Sequence, residues 1–185
     1  MTEKQLLRRE VRSRFPGRAR RDEESLRLCG HILASQAYAR CGAVCGYVPM
    51  AREADVTPVL ADALRTGRRL LLPRVEGEGV MTLRRVEAME ELVPGAYGIP
   101  EPAETAPVEE LTEDTLVLVP LEAIDRGGMR LGKGGGYYDR LLTGAPGVKM
   151  GVALLHQWTE RVPCDPWDQP LTLCADGDGI HCLCE

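Results

Sequence analysis

Apolar positions follow two rhythms along this chain. Near the start, Leu6, Leu7 and Val11 recur at helical spacing among basic residues, which predicts an amphipathic helix up to Phe15. Lys4, Arg8 and Arg12 are each four apart and share one face of that helix. Pro16-Gly17 stops it. A second helix is expected to run to about Tyr38, with Asp22 as its cap and Glu23 and Glu24 in the favoured first turn. The apolar run "AVCGYV" (43–48) reads as a buried strand. Thr57-Pro58 opens a helix that ends at Gly67. "RLLLPRV" is the next strand, and "VMTLRRV" (80–86) alternates more weakly, as an edge strand does.

"LVPGAYGIPEP" is a Pro/Gly-rich loop, and Ala103 to Asp114 is an acidic, aperiodic exposed loop. "TLVLVP" is a buried strand ending at Pro120. A short helix is expected from about Tyr137 to Leu142, followed by the strand "KMGVALL". The tail from Gln157 reads as loop-rich, with one short strand near Leu171–Cys174. Strands of continuous apolar character alternating with helices indicate an α/β fold with a mostly parallel sheet. Ligands of such sheets sit beyond the carboxyl ends of strands, where Pro120 to Gly136 falls.

That segment runs into "RLGKGGGYYDR", Arg130 to Arg140, with four glycines in five positions. Glycine is costly to order, so the cluster implies φ > 0 angles or close approach of backbone to a ligand. Successive free N–H groups can cradle an anion, and Arg130 and Lys133 add positive charge. Asp139 can hold a Mg²⁺ that accompanies a nucleotide. Tyr137 and Tyr138 can stack on a planar ring. Neither the Walker A pattern nor the dinucleotide fingerprint is met, because Gly134 follows Lys133 and Tyr137 stands where a glycine is required. The competing reading is a glycine-rich surface turn, which seldom needs so many charges and rings.

Composition narrows the classes. The chain has 185 residues, 44% hydrophobic and 28% charged, as an ordinary globular protein has. No apolar run approaches a membrane span, and "MTEKQLLRRE" is no secretory signal, so a cytoplasmic location is expected. The seven cysteines lack the paired spacing of zinc sites, "HCLCE" at the terminus included, and are expected as reduced thiols packed like small hydrophobes. The net charge of −5 is uneven: residues 1–21 carry eight basic and two acidic side chains, a local +6 that leaves −11 elsewhere. A basic first segment on an acidic body points to an anionic partner. Nucleic acid is one candidate, but the acidic body opposes it.

The residues now carry a resemblance. "VPLEAIDRGGMRLGKGGGYYDRLL" resembles the signature of the 5-formyltetrahydrofolate cyclo-ligases, also called 5,10-methenyltetrahydrofolate synthetases. Lys4 and Arg8, "YVPMAREAD", "YGIPEP", and the series Gln157, Pro163 and Asp168 agree with it, so it spans essentially the whole chain. The sequence departs at Ile124, where an aromatic is usual, at Val56, where Thr is common, and at Thr172, where a second Asp is frequent. The resemblance implies one domain over residues 1–185. Its fold would be a three-layer α/β/α sandwich of the sugar-phosphate isomerase and CoA-transferase type. The basic helix, about residues 2–15, would join the ATP site.

The resemblance also implies roles. Lys4, Arg8 and Arg130 would hold ATP phosphates, with Leu131, Gly132, Lys133, Gly134, Gly135, Gly136, Tyr137 and Tyr138 wrapping the nucleotide. Val48, Glu53 and the run from Lys133 to Tyr137 would face the folate. Arg130, Lys133 and Tyr137 would serve catalysis, and Asp139 and Asp168 would hold Mg²⁺. Mg²⁺ and ATP are thus the expected cofactor and co-substrate. The reaction would convert 5-formyltetrahydrofolate to 5,10-methenyltetrahydrofolate, giving ADP and phosphate, in a monomer with no nucleic-acid or membrane partner. An isomerase of similar fold is the rival enzyme, and it would not need ATP. Read as a metal ligand alone, Asp139 is expected to tolerate Asn with little change in melting temperature.

Overall fold

The computed structural model describes residues 1–183. In chain order the elements are α1 (Glu3–Ser13), α2 (Arg18–Ala34), α3 (Gln36–Arg40), β1 (Ala43–Cys45), α4 (Thr57–Arg65), β2 (Arg69–Gly77) and β3 (Val80–Val86). Two short pairs follow around a long strand: β4 (Val93–Pro94), β5 (Pro100–Glu101), β6 (Thr115–Pro120), β7 (Ala123–Ile124) and β8 (Arg130–Leu131). The chain continues through α5 (Tyr137–Leu142), β9 (Val148–Val152), β10 (Leu173–Asp176) and β11 (Gly179–Cys182). The main sheet has the order β11-β10-β9-β6-β1-β2-β3. β2, β1, β6, β9 and β10 are mutually parallel, and the outer strands β3 and β11 pair antiparallel. The sheet is mostly parallel and β3 is an edge strand, as expected.

Both faces of the sheet are buried, which is why its strands read as unbroken apolar runs. Val44, Leu70, Leu72, Leu116, Leu118 and Met150 share one face with residues of α2, α3 and α4. The intervening Cys45, Leu71, Val117 and Val119 share the other with Leu142 of α5. Helices therefore flank the sheet on both sides, in a three-layer α/β/α arrangement. Leu7 and Val11 bury the inner stripe of α1 against Ala123 and Leu131 of the β7–β8 pair. Each such burial stabilises the docked helix by about 1.5–3 kcal/mol. Leu6, expected on that stripe, is instead exposed.

Three expectations are corrected. α2 begins at Arg18 with Gly17 as its cap, not at Asp22. Arginine is a good helix former, and the Asp22 carboxylate binds Arg21 at 2.7 Å rather than capping. That helix also stops at Ala34, because the Ser35 hydroxyl caps a new start by accepting from the Tyr38 N–H. Third, the tail carries a β10–β11 hairpin rather than one strand. Its turn is closed by Asp176, whose carboxylate accepts from the N–H groups of Asp178 and Gly179. The polar run "DGDG" interrupts the apolar pattern that would have marked the second strand. Among the described residues, no helix is long and apolar enough to cross a membrane.

Candidate active site

The strand order reverses between β1 and β6: β2 and β3 extend the sheet one way, and β9, β10 and β11 the other. Such a switch point opens a crevice beyond the carboxyl ends of the two strands. A cavity of about 560 Å³ lies there, within the ordinary range for a small-molecule site. Tyr47, Val48, Met50 and Glu53 reach it from beyond the end of β1, and Pro120 and Leu121 from the end of β6. The glycine-rich loop, leading from β8 into α5, supplies a further wall. Val75, Met81 and Ile99 give it an apolar side.

The residues given site roles from sequence all line this one cavity: Lys4, Arg8, Val48, Glu53, the whole run Arg130 to Asp139, and Asp168. The docking of α1 explains how residues more than a hundred positions apart meet there. Arg8 Nε donates to the Gly132 carbonyl at 2.8 Å, and Lys4 Nζ lies 2.7 Å from Asp165 and 2.5 Å from Asp168. Arg12, next on the same face, pairs with Glu122 at 3.0 Å. The basic stripe of α1 is therefore turned onto the protein's own acidic body.

Ionised groups of alternating sign continue through the site. Arg130 is buried and binds Asp139 at 2.6 Å, while its Nε is sealed from solvent with no acceptor among the described residues. Burial lowers the pKa of Arg130, and the neighbouring charge of Asp139 opposes the shift. Burial also lowers that of Arg8. Burial would raise the Asp168 pKa, but hydrogen bonds from Lys4 and the Asp165 N–H outweigh it and hold the carboxyl below its usual range. Burial likewise works against the Lys4 ammonium, yet Asp165 and Asp168 raise its pKa overall. Lys133 pairs with Glu53 at 2.5 Å, and the other Glu53 oxygen accepts from the Met50 N–H at 2.8 Å.

In the loop itself, Gly134 (φ +106°) and Gly136 (φ +64°) occupy the left-handed region that side chains rarely adopt. Gly135 does not; its constraint is contact, because a Cβ there would lie 2.7 and 2.8 Å from two ring carbons of Tyr137. That ring lies under the Arg140 guanidinium, 5.4 Å from its centroid.

Asp139 and Asp168 both reach the cavity, but each is already paired with a cation. Among the described residues, no group of three or more His, Cys, Asp or Glu could hold a metal. Such a donor set does not fit a resident, protein-caged ion. It fits Mg²⁺ carried in on phosphate oxygens, with one or two carboxylates and waters completing its shell. Burial pushes Cys29 and Cys45 up to about 12, so these are packed thiols, not reactive ones. Cys184, part of the terminal "HCLCE", lies outside the described residues. His31, His156 and His181 stay out of the cavity lining, and His181 pairs with Asp176 at 2.8 Å.

Sequence reasoning missed several lining residues. Asp165, Lys4's other partner, and Trp167 precede Asp168 in "DPWDQP", a stretch without periodicity. Tyr97 is the one non-glycine residue with positive φ (57°) among those described, and its hydroxyl lies 3.4 Å from that of Tyr137. Glu101 also lines the cavity. The "YGIPEP" motif was the available signal for both.

Comparison with known proteins agrees with this geometry. A model described as the 5-formyltetrahydrofolate cyclo-ligase family matches residues 1–175. The chain is 33% identical over 136 residues to the 5-formyltetrahydrofolate cyclo-ligase of Mycolicibacterium smegmatis, covering 70% of each chain. It is 34% identical over 125 residues to that of Escherichia coli, covering 64% of this chain and 69% of the other. Its fold matches the NMR structure of Aquifex aeolicus 5,10-methenyltetrahydrofolate synthetase with a TM-score of 0.87 at 33% identity. That match covers 100% of this chain and 94% of the other.

Proposed function

Because the chain belongs to the 5-formyltetrahydrofolate cyclo-ligase family, we propose that its cavity brings 5-formyltetrahydrofolate and Mg-ATP together. The protein is a ligase that closes a C–N bond, converting 5-formyltetrahydrofolate to 5,10-methenyltetrahydrofolate. The observation that carries the nucleotide half of the reading is the convergence of Lys4, Arg8, Arg130 and Lys133 on one cavity with bare glycine backbone.

In this reading the formyl oxygen attacks the γ-phosphorus of ATP, and ADP leaves. The product is an iminium phosphate at N5. N10 of the same molecule then attacks the formyl carbon, loses its proton, and phosphate departs with the formyl oxygen. The second step is intramolecular, so orientation supplies much of its rate. Arg130, held by Asp139, and Lys133, held by Glu53, present positive charge to the transferring phosphoryl group. The backbone from Arg130 to Tyr138 wraps the nucleotide, and Tyr137 orients the reacting ends. Val48 and Glu53 face the folate. Asp139 and Asp168 are the residues that would hold Mg²⁺, which neutralises phosphoryl charge when bound. No side chain need act as a nucleophile.

α1 completes the nucleotide site of a single catalytic unit, and the cavity needs no second subunit. The cytoplasm, where thiols stay reduced, suits the six free cysteines among the described residues. The test is the absorbance of the methenyl product with and without Mg-ATP. Turnover is expected only with it, and equal turnover without nucleotide overturns the reading.

The role of α1 has its own test. Lys4→Ala combined with Arg8→Ala is expected to raise the KM for ATP about tenfold or more, since charge-assisted contacts to phosphate are lost. The KM for folate should change far less. Wild-type ATP kinetics in the double variant would make the basic face merely a docking surface.

A further inference from the structure

We propose that Glu101 is a substrate-specificity residue, accepting hydrogen bonds from the 2-amino group and N3–H of the pterin ring. This rests on the folate reading above. Glu101 lies on β5, is only 6% exposed, and lines the cavity. Its side chain is laid across Gly95, where a Cβ would come within 2.4 Å of Glu101 Cγ and Cδ and 2.6 Å of Oε2. The β4–β5 pairing of Val93 with Glu101, and the bond from the Gly95 N–H to the Ile99 carbonyl at 3.0 Å, hold that backbone in place. The side chain thus lies over bare glycine backbone, where a residue with a Cβ would displace it.

Among the described residues, none donates a hydrogen bond to this carboxylate or forms an ion pair with it. Arg74 donates to the carbonyl of the next residue, Pro102, at 2.8 Å and pairs with Glu76 at 3.6 Å. Lys133 is engaged by Glu53. With no donor from the described residues, its acceptor oxygens stay available to the donors of a ligand in the cavity. Neither of its oxygens is among the buried, unpartnered side-chain atoms, so both remain open to the cavity.

The chemistry selects the ligand group. An ionised carboxylate offers two acceptor oxygens and no donor. Phosphates, the formyl oxygen, the ring carbonyl and the tail carboxylates of the substrate are acceptors and cannot pair with it. The pterin ring presents two adjacent N–H donors, N3–H and the 2-amino group, which match a carboxylate in bidentate fashion. Adenine has one amino group flanked by ring acceptors and makes a poorer match; the ribose hydroxyls of a nucleotide are the competing donors, and a rise in the ATP KM below would identify them. Glu53 is less suited to this task, because each of its oxygens already accepts from the protein.

The test compares wild type and Glu101→Gln, each with 5-formyltetrahydrofolate and with its 2-desamino analogue. Gln keeps the shape but replaces one acceptor by a donor. With the natural substrate, the variant is expected to raise the folate KM about tenfold, the scale of a lost charged hydrogen bond. Its kcat and KM for ATP should stay within about twofold, a split that a purely structural role would not produce. The analogue should cost wild type a similar factor and cost Glu101→Gln nothing further. An unchanged folate KM in the variant, an ATP KM that rises instead, or equal independent losses on both substrates each overturn the proposal. Wild-type KM values that ignore the missing amino group overturn it without any variant. Wild type that does not turn over 5-formyltetrahydrofolate with Mg-ATP overturns the folate reading as well, which separates the two failures.

Discussion

Gly135→Ala is expected to lower kcat/KM about 10²-fold, the scale of a displacement of roughly 1 Å in a positioned group. The cause is not backbone strain, since the positive φ angles belong to Gly134 and Gly136. It is the ring of Tyr137, which a Cβ at position 135 would meet at 2.7 and 2.8 Å. Contacts that short force one partner to move. The ring has little freedom, being covered by Arg140 and having its hydroxyl 3.4 Å from both the Gly79 N–H and the Tyr97 hydroxyl. Both the tyrosine and the loop backbone must therefore shift within the cavity. The loop contributes little to the core, so folding should lose only ~1 kcal/mol, about 2–4 °C in Tm for a chain of this size. Steady-state kinetics and thermal melting check both numbers. A variant with wild-type kcat/KM would show the glycine run to be an ordinary turn.

Asp139→Asn should be damaging in two ways at once. Turnover is expected to fall about 10²–10³-fold, because the variant removes a charge proposed for Mg²⁺ and loosens Arg130 in a preorganised electrostatic site. Melting without ligand should fall too, against the expectation from sequence that it would hardly change. Arg130 is buried with its side chain 2% exposed, and Asp139 is its carboxylate partner at 2.6 Å. Removing one member of a buried pair leaves an uncompensated charge. Asn still accepts one hydrogen bond and position 139 is partly open to water, so the loss is set at about 1–3 kcal/mol. That corresponds to roughly 5 °C. Melting of the free protein, then with Mg-ATP, separates the two effects. An unchanged free-state Tm with abolished turnover would return Asp139 to the role of metal ligand alone.

These two variants mark how far the candidate site was legible. The cluster Arg130 to Asp139 could be read as a ligand loop because glycine, charge and aromatic rings rarely coincide without a close backbone approach. Lys4 and Arg8 could be placed on one helical face by spacing. Their partners could not be read. Asp165 has no periodic context, Glu101 sits in a Pro/Gly loop, and nothing local tells Asp139 from Asp168 as a partner for Arg130. Among the elements, α5 and the edge strand β3 were found with their bounds. The start of α2 and the strand β11 were not, because Asp22 was taken by Arg21 and a polar turn broke the apolar run.

By itself, the sequence determined the alternation of buried strands and helices, the amphipathic α1, the glycine-rich loop and the family. All of these are local signals, because burial period and turn chemistry act within a few residues. The tertiary structure decided the rest. β6 lies beside β1, which opens the switch-point crevice, and Leu7 and Val11 dock α1 so that Lys4 and Arg8 reach it. It also decided which charges neutralise one another, as Lys4 does with Asp165 and Asp168. The physical reason is that an apolar strand can pair with any other of similar pattern, and a charge specifies its sign but not its neighbour. Only burying both faces of one sheet at once selects the order that brings these side chains together.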